Sequence, residues 1–404
     1  MLAAMKALVF VAALAACGGA PTEPLATLPA KPRPAPVDVE VPTATGAERW
    51  LLLEQHAQRA PTVRHVAVEL GADLRTPPTT TDLGESPALA LYPNDKAPHH
   101  AVAAHDGTRW VQVVDSERGG LRAVVRSLPA STPLATIELG DITPAALHLV
   151  GDALWIGARS KVGWADLAER SPKVRTLVER DQRRAKYYDL FAHSGDRLIA
   201  IDDVVRPLYA DWFALDARGA PGEHLGDWIL PGMVNGHYTG ATLVRDGEGF
   251  ALFTTSTSSS GYSGPGQGMF RLPIAGDAYV SRGDAMQPDI SETDMTRRRQ
   301  PSALVAGTTF TAWEGFAVSP DGEQVLIAAG ERGLLVMPSK LPSGVTAATI
   351  DLGGKVRDVT VRGAELFALV STEAGTSELV VLAPDTLEVA ARHALPGELD
   401  RFVD

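Results

Sequence analysis

Phe316-Ala-Val-Ser-Pro-Asp-Gly-Glu-Gln-Val-Leu-Ile-Ala-Ala329 carries the reading that decides the fold. An apolar stretch meets a tight polar turn at Ser319-Pro320-Asp321-Gly322, and a run of aliphatic and β-branched residues follows. A two-residue turn between antiparallel strands needs positive φ, which glycine adopts without steric cost. The same pattern recurs along the chain, as AVAAHDGTRWVQVV from Ala101, ALHLVGDALWIGA from Ala146 and DLFAHSGDRLIAI from Asp189. It returns as TLVRDGEGFALF from Thr242 and VTVRGAELFALV from Val359. The turn glycines are Gly107, Gly151, Gly195, Gly247, Gly322 and Gly363. They recur every forty to fifty residues or so, with one longer interval between Gly247 and Gly322.

Two more strand-like stretches follow most hairpins. LRAVVRSL and LATIELG follow the first, VGWADL and VRTLVER the second. GLLVMP and AATIDLG follow Ala329, and ELVVLAP and LEVAARHAL follow Val370. Four antiparallel strands at that period predict an all-β chain folded as a single β-propeller. Residues 47–98 carry a further set, ERWLLLEQ, VRHVAVEL and ALALY, which is read as a seventh blade. The long interval holds one blade plus an insertion near 283–302. Seven four-stranded blades over 46–404 is the expected count; six or eight fit the same spacing, and a β-sandwich or two smaller β domains is the competing architecture. The phrase SPDGEQVLIAA (Ser319 to Ala329) resembles turns of WD40-like and YVTN-like bacterial propellers. The resemblance is architectural: no repeat ends in Trp-Asp, and no kelch double glycine or Ser-x-Asp-x-Gly-x-x-Trp box occurs.

Composition agrees. The 404 residues include 38 Gly and 29 Pro, which suits short strands and turns better than long helices. The formal net charge of −12 argues against nucleic acid as a partner, because phosphate contacts need a basic face.

The N-terminus reads as an address. Lys6 precedes an apolar run from Ala7 to Ala16, too short to span a bilayer but suited to a secretory signal. Leu14-Ala15-Ala16-Cys17 resembles the lipobox of bacterial lipoproteins, which implies a signal peptide over 1–16 and diacylation of Cys17 as the new N-terminus. Met1 or Met5 serves equally as the start of that signal. Cys17 is the sole cysteine, so neither an internal disulfide nor a cysteine-based metal site is available. The resemblance further implies a lipid-anchored protein of the cell envelope. By the enteric sorting rule, Gly18 after the cysteine implies the outer membrane. Residues 17–45 hold Pro21, Pro24, Pro29, Pro32, Pro34, Pro36 and Pro42 and read as an extended tether.

Strand order assigns the connections to two faces. If the first strand of each blade lines the axis, the short glycine turns share one face. The opposite face then carries the longer stretches 179–186, 202–208, 231–238, 255–268 and 283–302. Loops beyond turn length tend to carry function. A ligand-binding surface is expected there from Arg183, Arg184, Lys186, Tyr187, Asp202, Asp203, Arg206, Asn235, His237, Tyr238 and Tyr262. Mixed charge with aromatics suits a protein, peptide or envelope-glycan partner.

Catalytic signals are poor. Gly261-Tyr-Ser263-Gly-Pro265 misses a nucleophile elbow at Pro265. Neither a cofactor nor a metal site is expected, and His99-His100 would point to opposite faces of a strand. The competing function is a propeller hydrolase resembling lactonases, with a cation held over the axis by carboxylates. Its scattered candidates are Asp189, Glu314 and Asp358.

Overall fold

The computed structural model describes residues 49–55, 61–89, 102–180, 187–202, 208–230, 236–247, 249–258, 266–274, 315–339 and 348–403. The chain divides into two units, Met1–Arg33 and Pro34–Asp404, and every described residue belongs to the second.

The first three strands are β1 (Trp50–Gln55), β2 (Thr62–Glu69) and β3 (Thr79–Pro87). A second set is β4 (Ala103–His105), β5 (Arg109–Asp115), β6 (Leu121–Ser127) and β7 (Pro133–Gly140). The third is β8 (Pro144–Val150), β9 (Ala153–Ala158), β10 (Lys161–Asp166) and β11 (Arg175–Glu179). The fourth is β12 (Tyr188–Ser194), β13 (Arg197–Asp202), β14 (Leu208–Leu215) and β15 (Pro221–Leu230). The fifth shows β16 (Gly236–Asp246), β17 (Gly249–Ser258) and β18 (Gly266–Ile274) among the described residues. The sixth is β19 (Gly315–Val318), β20 (Gln324–Ala328), β21 (Leu334–Pro338) and β22 (Ala348–Ile350). The seventh is β23 (Lys355–Arg362), β24 (Glu365–Ser371), β25 (Ser377–Leu382) and β26 (Val389–Leu395), and β27 (Arg401–Val403) ends the series.

Each set forms its own antiparallel sheet, and β27 joins β1–β3 to complete the first. In sheets two to seven the predicted glycines sit between the first and second strands, with φ between 52° and 84°. The first strands neighbour one another in the cycle β27, β4, β8, β12, β16, β19, β23 and back to β27. Seven sheets around one closed ring of innermost strands make a seven-bladed propeller.

Burial follows position in the blade. Every residue of the second strands β9 and β24 is buried, because a neighbouring blade covers each side. Outermost strands such as β3 and β7 are largely exposed or half-buried. Apolar clusters fill each blade-to-blade interface. Trp155, Tyr188 and Phe213 lie between blades three and four. Leu52, Trp110 and Val403 lie between blades one and two. Burying each such side chain is worth about 1.5–3 kcal/mol. The cluster around Leu51, Phe367, Leu379 and Phe402 joins the last blade to the first.

The first and last described strands close the ring. Leu52, Leu53 and Glu54 pair with Val403, Phe402 and Arg401. The Arg401 guanidinium lies 2.7 Å from the buried Glu54 carboxylate. Asp358 on β23 accepts the Phe402 N–H at 2.8 Å, which fastens β27 to the preceding blade.

Two expectations need correcting. The first sheet takes the polar stretch Thr79–Pro87 as its third strand in sequence order, in place of ALALY; of ALALY only Ala88 and Leu89 are described, and Leu89 makes an isolated bridge. The stretches 231–238 and 255–268 are shorter as connections than expected. β16 begins at Gly236, β17 runs to Ser258 and β18 starts at Gly266.

Alternation of strand direction fixes two faces. The glycine hairpins lie on one, called the turn face. The connections from second to third strand, and from blade to blade, lie on the other, called the loop face. Because β1 is the second strand of its blade, it begins on the turn face, and β27 ends there.

Candidate functional site

On the loop face, β11, β13, β15 and β17 end, and β12, β14, β16 and β18 begin. These ends flank most of the residues named from sequence. Arg183, Arg184, Lys186, Asp203, Arg206, Asn235 and Tyr262 themselves lie outside the described residues, as do Cys17, His99, His100 and Glu314. Asp202 closes β13, while His237 and Tyr238 lie in β16, paired with Thr257 and Ser256. Tyr187 is buried, with 6% of its surface exposed.

Arg180, at the start of the connection expected over 179–186, is held inside the body. Its guanidinium grips the Asp211 carboxylate at 2.8 and 3.0 Å and reaches Asp227 at 3.2 Å. The Tyr188 hydroxyl donates to Asp211 at 2.5 Å and accepts from Arg180 Nε at 2.5 Å. His224 adds a 3.0 Å contact to Asp211. Burial works against ionising Asp211, yet the bonds from His224, Arg180 and Tyr188 hold its carboxyl below the usual range. The hydrogen bond to Asp211 pushes His224 upward despite partial burial. This network ties blade three to blade four.

The second polar constellation gathers at the axis, beside the turn face. His105, His148, His193 and Arg362 stand on the innermost strands β4, β8, β12 and β23, each within a few residues of its hairpin glycine. His148 Nε2 and His193 Nδ1 are 2.6 Å apart, with ring centroids 4.7 Å apart. Phe191 stacks on His148 at 6.0 Å. Arg362 Nη2 donates to His105 Nε2 at 2.7 Å and to the Val403 carbonyl at 3.3 Å. In the cyclic order, blade seven stands across the axis from blades three and four. Arg362 therefore faces the His148–His193 pair. Burial, then the neighbouring His193 and Arg362, hold His148 well below the usual imidazole range. Burial and the Arg362 charge lower His193 and, further, His105. The His193 side chain is nonetheless exposed, so solvent reaches this end of the axis.

The sequence carried a signal for this cluster. His105-Asp-Gly107, His148-Leu-Val-Gly151 and His193-Ser-Gly195 place histidine just ahead of three successive turn glycines. Loop length points instead to the opposite face. Of the axial carboxylates considered for a cation, Asp358 spends its oxygens on the backbone N–H groups of Val359 and Phe402. Among the described residues, no group of three or more His, Cys, Asp or Glu is placed to hold a metal ion.

A third constellation has the order of a nucleophile relay. Ser86 Oγ lies 2.7 Å from His65 Nε2, and His65 Nδ1 lies 3.7 Å from Glu54. Ser86, His65 and Glu54 are at most 1% exposed, so substrate has no path to the hydroxyl. Glu54 is turned to Arg401, and the chain of contacts serves ring closure rather than attack on a substrate.

Comparison with known proteins adds little. No protein-family model matches the chain, and no curated protein is similar to it. Among solved structures, a chain of the crystal structure of the mitotic checkpoint complex is similar at 10% identity and TM-score 0.45, over 72% of this chain and 78% of that one.

Proposed function

We propose that the chain is a lipid-anchored propeller of a bacterial cell envelope that binds a protein, peptide or envelope glycan on its loop face. The supporting observation is topological. β1 begins on the turn face, whereas the strands beside the connections 203–207, 231–235 and 259–265 end and begin on the loop face. A rigid ring that brings the ends of distant connections to one side suits a binding module, because little order is lost on association. The anchoring rests on the lipobox resemblance and on acyl chains, since an acidic body gains nothing from anionic headgroups.

Two measurements test this. Cys17→Ala is expected to abolish incorporation of labelled fatty acid and to move the protein from the membrane to the soluble fraction. Full-length protein in detergent is then assayed against purified envelope glycan and envelope protein fractions. Asp203→Ala combined with Tyr262→Ala is expected to weaken capture about tenfold or more. Asp321→Ala with Glu323→Ala, on the turn face, should leave it unchanged. Equal loss from both pairs would place the surface elsewhere.

A further inference from the structure

Among the remaining polar clusters, the axial one has no structural debt that explains its composition. The Arg180 network and the Glu54–Arg401 pair each join strands of the fold. The His148–His193 pair also bridges two blades, but in a form no architecture requires: a cross-axis guanidinium and three imidazoles at a solvent-reached opening. We propose that His193, His148 and Arg362 form an axial binding site for an oxyanion, a phosphate or carboxylate group entering from the turn face.

The argument rests on geometry and charge. A guanidinium stands on one wall of the axis and an imidazole pair on the other. Because one nitrogen of His148 and one of His193 are spent on each other, each ring retains one free nitrogen. In the neutral pair one proton lies in the shared hydrogen bond, so one outward nitrogen carries N–H and donates to an acceptor ligand while the other is an acceptor. Arg362 supplies a fixed positive charge whose field reaches His105, His148 and His193 alike. That field is a handicap for a cation and a benefit for an anion. A divalent metal would need further ligands, and the described residues place none with the pair. Charge-assisted hydrogen bonds to an oxyanion are the strong class, and partial burial strengthens them further. Hydrogen bonds from Arg362 to His105 and Val403 do not conflict with this role, since the field, not a spare donor, carries the argument.

Full-length protein in detergent is titrated with inorganic phosphate and, separately, with acetate, by calorimetry and by histidine imidazole NMR. At least one probe is expected to bind with a dissociation constant of about 1 mM or tighter. His193→Gln and Arg362→Gln are each expected to weaken that binding about tenfold. Arg118→Gln, on an exposed turn of the loop face, should not. Saturation by phosphate alone assigns a phosphoryl ligand, and by acetate alone a carboxylate end. Because Arg362 also touches the closing strand, His193→Gln, whose side chain is exposed, decides the matter if the arginine variant misfolds. Neither probe binding at ten times that concentration, or binding that survives His193→Gln in folded protein, overturns the proposal. The result is independent of the loop-face reading, which uses residues on the other side of the ring.

Discussion

At the scale of single residues, the buried charges decide how stability responds to substitution and to pH. Asp211 is 1% exposed and carries Arg180, Tyr188 and His224 on one carboxylate. Asp211→Ala strands a largely buried guanidinium and is expected to cost about 3–5 kcal/mol, read as a lower urea midpoint. Several histidines give the pH dependence its direction. His105, His148 and His193 are depressed in the folded state, so the unfolded chain binds protons first as pH falls. Their contribution is complete above about pH 6.5 and is lost progressively below it. Asp211, also depressed, adds its loss lower, through the carboxylate range. His224 has the opposite sign: raised in the fold, it stabilises below about pH 6.5 and that stabilisation fades as pH rises through its folded value. Urea midpoints across pH 5 to 9 are expected to fall on the acid side, and His224→Asn should cost more at pH 6 than at pH 9. A flat acid limb would show that the axial histidines titrate freely. The sequence revealed the turn glycines because glycine has a local steric reason to be there. It concealed Glu54 and Arg401, which meet across 347 positions, and no local pattern marks such a pair.

At the scale of elements, position within a blade explains what was legible. Second strands sit between two blades, carry an apolar run such as Leu51–Leu53, Ala153–Ile156 or Val325–Ala328, and read clearly. Outermost strands face solvent, and Thr79–Pro87, with Thr79, Thr80, Thr81, Asp82 and Glu85, has no apolar alternation by which to recognise it. ALALY has the composition of a strand that Thr79–Pro87 lacks, so apolar patterning points to it instead. The hairpins also lock one blade to the next by close backbone approach. Gly219, at φ 77°, sits so near the β8–β9 turn that a Cβ there would meet the Val150 carbonyl oxygen at 2.0 Å. Its own carbonyl accepts the Trp155 indole N–H at 3.0 Å. Gly219→Ala therefore combines a forbidden backbone with a clash that only a shift between blades three and four relieves. A loss of about 3 kcal/mol or more is expected by urea unfolding, beyond the usual range of a surface glycine substitution. A change under about 1 kcal/mol would mean the blades slide without cost.

At the scale of the whole molecule, the ring holds because its last strand belongs to its first blade. The regular hairpins predicted blades, but nothing local told how they close, since β27 is short and its partner lies at the other end of the chain. β27 has three kinds of hold: backbone pairing of Arg401–Val403 with Leu52–Glu54, the Glu54–Arg401 ion pair, and the Asp358 acceptor for Phe402 N–H. Phe402 and Val403 are buried in the clusters that join blade one to blades seven and two. Ending the chain at Asp400 removes all of these and bares β1 as an unpaired inner edge beside the axis. An exposed edge with Leu51, Leu52 and Leu53 behind it is a template for pairing with another chain. The truncated protein is expected to lose cooperative unfolding and to associate, seen as a broadened urea transition and a higher mass by light scattering. The milder Glu54→Gln keeps the strand and its apolar contacts. Because Arg401 is partly exposed and can be rehydrated, only about 1–2 kcal/mol should be lost, with the transition still sharp. If truncation left a monomer with an unchanged transition, closure would reside in the apolar contacts between blades alone, and β27 would be an ornament of the ring rather than its fastening.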